Sequence, residues 1–214
     1  MISRITKTWR RSSKFKSLMP VSFRSVLKAR LNFVKPPNRS EVDDGMQPLD
    51  LTIEIASRSE AGRILCSPRR CAELSYLVSI GEPEEQPPAG YRNVRRKLRL
   101  QFADVEVEES GPTEEDIGRI IRLADSLKTV GGKVLIHCGA GISRSAAAAL
   151  ILYACWLGPR REQEAMEKVF TLRPIAKPNR RMVMLADKIL GRDGRLIDAL
   201  TCKKADLPVQ GKNG

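Results

Sequence analysis

A cysteine and an arginine with five residues between them carry the chemistry that can be read from this chain. Cys138 and Arg144 stand in the run 133–157, KVLIHCGAGISRSAAAALILYACWL. A thiol set among backbone amides and a guanidinium is expected to lose its proton readily, and the thiolate is the form that attacks an electrophile. The planar fork of an arginine can hold two phosphate oxygens in the equatorial plane of an in-line displacement. These two side chains need elements that bring them together. Val134, Leu135 and Ile136 form a short apolar run suited to a strand buried on both faces. Gly139, Ala140, Gly141, Ile142 and Ser143 make a small-residue loop, and the Ala- and Leu-rich stretch after Arg144 and Ser145 reads as a buried helix ended by Gly158-Pro159. Such a loop between a strand and a helix N-terminus is an anion site, because its N–H groups converge and the helix dipole adds partial positive charge. A structural cysteine beside a solvent-facing arginine is the bland alternative. The coincidence of strand, thiol, loop, arginine and helix argues against it.

The segment HCGAGISRS closely resembles the phosphate-binding loop of the cysteine-dependent protein tyrosine phosphatases, on the dual-specificity-like branch and nearest its small bacterial members. The resemblance covers residues 50–200. In that family the cysteine attacks phosphorus and the resulting cysteinyl-phosphate is hydrolysed by water, with no cofactor and no metal. The resemblance implies that Cys138 is the nucleophile and Arg144 the transition-state clamp, and that residues 139–144 bind the phosphate. Ser145 would hydrogen-bond the sulfur and help it leave. His137 would orient the Cys138 backbone rather than act as a base. A leaving oxygen needs a proton, and the family supplies it from an aspartate in a loop roughly thirty residues before the cysteine. Asp104 lies 34 residues before Cys138 and is the choice here, with Glu106, Glu108 and Glu109 as rivals in the same acid-rich loop. Further on, RPIAKPN resembles the family's segment around a Pro-Asn pair, which makes Asn179 the residue that ties down the phosphate loop.

Composition bounds the rest. A chain of 214 residues with 42% apolar content fits one domain plus tails, and no run of 18 apolar residues exists to span a membrane. The expected division is a basic N-terminal extension and linker over 1–48, a catalytic domain over 49–200 and a loose tail over 201–214. The net charge is +13, and residues 1–45 hold 11 Lys/Arg against 3 Asp/Glu. That basic segment suits a mitochondrial presequence, an arm lying on anionic lipid through Phe23, Val26, Leu27, Leu31 and Val34, or a nucleic-acid contact. A disordered tail, or a true start at Met46, is the plainer reading. Five cysteines (66, 71, 138, 155, 202) without regular spacing place the chain in a reducing compartment, the cytoplasm by expectation. One histidine rules out sites needing several imidazoles and leaves none for a separate Ser-His-Asp triad. The chain has no G-x4-G-K-[ST] nucleotide loop.

Taken in order, residues 51–56 alternate as a first strand and 58–66 form a short helix. Residues 75–80 are a second buried strand, followed by a Glu- and Pro-rich loop over 81–90. Residues 94–102 read as a third strand with Leu98, Leu100 and Phe102 on one face. Arg92, Arg95, Arg96, Lys97 and Arg99 gather there, either as a solvated strand face or as a basic rim that attracts a polyanion. Thr113 and Asp116 pattern as a capping box for a helix carrying Ile117, Ile120, Ile121, Ala124 and Leu127 on one face. Helices over 162–172 and 181–190 follow, separated by a break at 174–179. Strands leading and helices following imply an α/β fold, a three-layer sandwich with a central, mainly parallel sheet flanked by helices and with the catalytic loop at the C-terminal end of a central strand.

Function then reads as phosphomonoester hydrolysis on phosphoproteins, phosphotyrosine first, with phosphoserine and phosphothreonine also accommodated. The loop carries no Lys, so a highly charged lipid head group is less favoured. The same chemistry on a non-protein polyanion (an RNA 5′ phosphate, a phosphoinositide or a phosphoglycan) is the alternative. A catalytically dead phosphate-recognition module is opposed by the intact Cys138, Arg144 and Ser145. Rhodanese-like enzymes also pair a cysteine loop with an arginine, but they leave the acid loop and the Pro-Asn segment unexplained.

Overall fold

Four short strands form the frame on which the loop is mounted. The structure, a computed structural model, describes residues 51–201. The expectations for residues 1–48 and for the tail beyond 201, Cys202 included, lie outside the described residues. The strands are β1 (Leu51–Ser57), β2 (Leu74–Gly81), β3 (Lys97–Gln101) and β4 (Gly132–Cys138). They are ordered β1-β4-β2-β3, and each pairing is parallel. The last strand in sequence therefore lies inside the sheet, between β1 and β2. Its apolar residues read as a continuous run because both of its faces are covered.

The period-2 alternation of the strands sorts side chains into two layers. Ile53, Ile55, Val78, Ile80, Leu100, Val134, Ile136 and Cys138 face one core, shared with α3 (Glu114–Val130), α4 (Arg144–Leu157), α5 (Glu162–Leu172), α6 (Arg180–Leu190) and α7 (Arg195–Ala199). Ala56, Leu77 and Leu135 point the other way, onto Ala61, Ile64 and Leu65 of α1 (Arg58–Cys66) and onto Val94. Cys71 of α2 (Pro68–Ala72) and Tyr91 close the edge of that second core. This is the three-layer sandwich with a parallel centre. Helix α4 is buried on nearly every side, ten of its 14 residues included, and for that reason it is built from Ala, Leu and Ile rather than from an amphipathic pattern.

Local chemistry sets the element ends. Ser57 and Glu60 form a full capping box at α1, and Thr113 and Asp116 form the one expected at α3. The third strand is shorter than its pattern implied. Tyr91–Asn93 make a 3₁₀ turn, Val94 drops into the α1-side core, and the ladder with β2 begins only at Lys97. Helices α2 and α7, of five residues each, carry too few turns to show a period and were not expected.

Candidate active site

Cys138 is the last residue of β4, at the carboxyl edge of the sheet where ligands of parallel sheets bind. Its thiol is 1% exposed. The Gly141 N–H donates to Sγ at 3.3 Å, and the Ser145 hydroxyl lies 3.2 Å from the sulfur. Gly141 is required for this turn. It sits at φ +75°, and a Cβ there would stand 2.5 Å from the Ser57 amide nitrogen. The loop is held from outside by its carbonyls. Arg58 N–H donates to Gly139 O (3.0 Å), Lys177 N–H to Ile142 O (2.9 Å) and Asn179 N–H to Ser143 O (3.4 Å). Gly139 and Ala140 remain exposed at the mouth.

Arg144 is 4% exposed and is gripped by three residues from two segments. One Nη donates to Phe102 O (2.7 Å), the other pairs with Glu82 (2.7 Å), and Nε lies 3.6 Å from Asp104. That Nε is buried without a hydrogen-bond partner among the described residues, so the guanidinium keeps unused donor capacity there. Asp104 accepts from the Ser143 hydroxyl (2.7 Å) and from Asn179 Nδ2 (2.9 Å), and a third of its side chain stays open to solvent. The carboxylate therefore touches both the loop and the arginine. Among the described residues Glu106 and Glu109 make no such contact, and Glu108 reaches only Arg181, at 3.9 Å.

Asn179 acts in two directions. Its Oδ1 caps α6 through the Met182 N–H (3.0 Å) and its backbone N–H holds the loop, but its Nδ2 goes to Asp104 and to Val105 O (3.3 Å). The side chain thus ties down the segment 104–105, while only the main chain ties down the Cys138–Arg144 loop.

His137 faces the α1 layer. Nε2 lies 2.8 Å from the Ser79 hydroxyl and Nδ1 lies 3.4 Å from Cys138 O. Ser79 accepts in turn from an Arg99 Nη at 2.8 Å, so its own proton is free for Nε2, and Nδ1–H then points at the carbonyl. Burial lowers the imidazole pKa from 6.5 to about 4. A neutral, fully bonded ring sets the Cys138 main chain and has no proton to trade at neutral pH. Glu82, Ser79, Arg99 and the Phe102 carbonyl were not expected as parts of the site. All lie at or near the carboxyl ends of the strands, the position that parallel topology marks for ligands.

Comparison with known proteins fits this geometry. Over 82 residues the chain is 38% identical to dual specificity protein phosphatase 1-B of Xenopus laevis, a match that takes in 37% of this chain and 22% of that protein. It is 30% identical over 107 residues to dual specificity protein phosphatase 15 of Rattus norvegicus, covering 50% of this chain and 42% of the relative. The crystal structure of a mouse putative dual specificity phosphatase, 21% identical, superposes with a TM-score of 0.51 over 75% of this chain and 97% of its own. The chain is thus similar over part of its length to dual specificity protein phosphatases, and its fold is that of a solved dual specificity phosphatase structure. It spans less than half the length of either curated relative. No family model matches it.

The loop cysteine is set apart from the chain's other described thiols. Burial pushes the Cys155 thiol up to about 11, away from any thiolate. Cys66 is exposed and Cys71 half-buried. The basic cluster also divides. Lys97 is spent on Tyr91 O, Val94 O and the Tyr91 ring, and Arg99 on Ser79 and Glu85 O, while Arg92, Arg95 and Arg96 stay exposed.

Proposed function

We propose that this chain hydrolyses phosphomonoesters in proteins, phosphotyrosine first and phosphoserine or phosphothreonine with it, through a cysteinyl-phosphate. The observation that carries the reading is the convergence on one sulfur. An amide N–H and the Ser145 hydroxyl meet Cys138 Sγ, and the Arg144 fork beside it is linked to Asp104. In the first step a sulfur lone pair forms the S–P bond as the P–O bond breaks. The proton of the Asp104 carboxyl goes to the leaving oxygen, which departs as a neutral alcohol or phenol. Arg144 and the loop amides meet the charge that builds on the equatorial oxygens. In the second step water attacks phosphorus, Asp104 takes its proton, and sulfur leaves as a thiolate that Ser145 hydrogen-bonds.

The mouth is formed by Gly139 and Ala140, with Ile142 half-buried behind them and no Lys in the loop. Neutral, small walls favour an aryl or alkyl phosphate presented by a polypeptide over a multiply charged head group. The test is turnover by the purified chain of phosphotyrosine, phosphoserine and phosphothreonine peptides, set against phosphoinositides and triphosphorylated RNA. Turnover of the peptides above the other substrates is expected. Preference for a lipid or RNA substrate, or no turnover of any, would overturn the reading.

A further inference from the structure

Next to the mouth of the loop an open trough of about 670 Å³ runs along α1, lined by Arg58, Gly62, Arg63, Cys66, Ala89 and Gly139 among others. Its floor is small and apolar and its rim is basic. Arg58 is fixed there, with its side chain on Glu85 (3.3 Å) and Gln86 O (2.8 Å) and its backbone N–H on Gly139 O. The layer that carries the trough is one piece. Asn93 Nδ2 donates to Leu65 O at 3.0 Å, and Gly90 packs so closely on Leu65 that a Cβ would stand 2.6 Å from its carbonyl carbon. On this layer Arg63, Arg69, Arg92, Arg95 and Arg96 are exposed and make no ion pair or side-chain hydrogen bond among the described residues. Of the nearby carboxylates, Glu54 takes Arg70 and Lys133, Glu60 takes Arg173, Glu73 takes Lys133 and Glu85 takes Arg58, which leaves Glu84 without an ion pair among the described residues. Arginines left without counter-charge on one face, beside a groove that opens at the phosphate loop, make a surface complementary to an extended anion.

The face also discriminates among anions. Membrane docking needs apolar anchors, but the exposed large hydrophobics (Val107, Val130, Leu172, Ile175, Met184, Ile189) all lie on other elements. Single-stranded nucleic acid needs stacking rings, and Tyr91, the aromatic of this layer, lies under the Lys97 ammonium at 4.7 Å. An acidic polypeptide asks only for a trough and arginines. We infer that the α1 layer is a docking surface for the acidic flank of the phosphorylated polypeptide. The Arg58–Arg63 trough seats the residues beside the phosphate, and Arg69, Arg92, Arg95 and Arg96 meet carboxylates further along. This rests on the phosphoprotein reading above.

The experiment compares kcat/KM for two phosphotyrosine peptides, identical except for acidic or neutral flanks, using all 214 residues of the chain. The acidic peptide should be favoured about 10-fold at low salt, the product of several exposed contacts each worth roughly 1.4- to 5-fold. The preference should shrink as salt shortens the screening length. In R63Q combined with R92Q/R95Q/R96Q the ratio should fall to near one. R122Q/R160Q, which removes two charges from α3 and the α4–α5 loop, should keep it. No turnover of either peptide would strike the proposed function instead. Turnover with a ratio of one in the wild type, or a ratio that survives the arginine substitutions, would overturn the docking surface. So would loss of single-stranded RNA or phosphatidylserine-vesicle binding in the arginine variant while the wild-type ratio stands at one.

Discussion

The chain's one histidine makes the support of the phosphate loop accessible to a pH experiment. His137 is 1% exposed, and burial lowers its pKa from 6.5 to about 4. The folded state thus resists a proton that the unfolded chain accepts. Between those two values the unfolded state binds more protons, so stability rises with pH through the window and is lost as pH falls. The linkage gives about 2 kcal/mol lost by pH 5 relative to pH 7.5, and about 3 kcal/mol by pH 4. A loss of this size is a large part of an ordinary domain's stability of about 5–15 kcal/mol. The assay is urea unfolding followed by circular dichroism at pH 7.5, 6.5, 5.5 and 5.0, on wild type and His137→Gln. The variant cannot take the proton, and the carboxylates that titrate at the lower end are common to both proteins. The difference between the two curves should therefore narrow by about 2 kcal/mol on going from pH 7.5 to pH 5. Parallel curves across the window would show that His137 is not held neutral by burial and would remove the argument for its role.

Asp104→Asn should slow phosphotyrosine and alkyl phosphates by roughly 10²–10⁴-fold, the usual contribution of a positioned acid, and an activated aryl phosphate much less. Glu106→Gln and Glu108→Gln should show no such leaving-group dependence, and its appearance in either would move the acid role. Asn179→Ala removes both the α6 cap and the hold on Asp104. Thermal unfolding should record a loss of about 1 kcal/mol, and turnover should fall most for poor leaving groups; an equal fall on all leaving groups would separate Asn179 from the acid. Gly141→Ala forces a side chain into φ +75° and against the Ser57 amide, so vanadate binding by titration should fall by at least about 10-fold, with strain of about 1–3 kcal/mol. Binding at the wild-type level would show that the loop has another route through this turn.

The strand–loop–helix unit was the most legible part of the chain, because each piece is specified locally. Val134 to Ile136 are apolar on both faces, the loop residues are small, and the Ala-rich run after Arg144 suits a helix enclosed by neighbours. Asp104 and Asn179 came from the family resemblance, and the fold brings them to 2.9 Å of each other across 75 residues. Sequence could not show that the Asn179 side chain reaches the acid loop. Glu82 was passed over as part of a surface loop, since only the adjacency of β2 and β4 carries it to Arg144. Lys97 and Arg99 looked like members of a solvated basic run. Their long side chains fold back onto carbonyls and Ser79, a use of charge that spacing does not reveal. The start of β3 was misplaced because Val94 is buried for a different reason, as a plug in the α1-side core.

The central claim is that phosphorus passes through Cys138, and it is tested most directly by trapping the adduct. Wild type and Ser145→Ala, mixed with a phosphotyrosine peptide and quenched within a turnover, would be digested and mapped by mass spectrometry. A phosphoryl group on the peptide containing Cys138 is predicted, more abundant in Ser145→Ala, where the sulfur lacks its hydrogen-bond partner and leaves slowly. Cys138→Ser should bind vanadate, form no such adduct and give no turnover. Turnover by wild type with no phosphoryl group on Cys138 at any quench time, together with sustained activity in Cys138→Ser, would contradict the account.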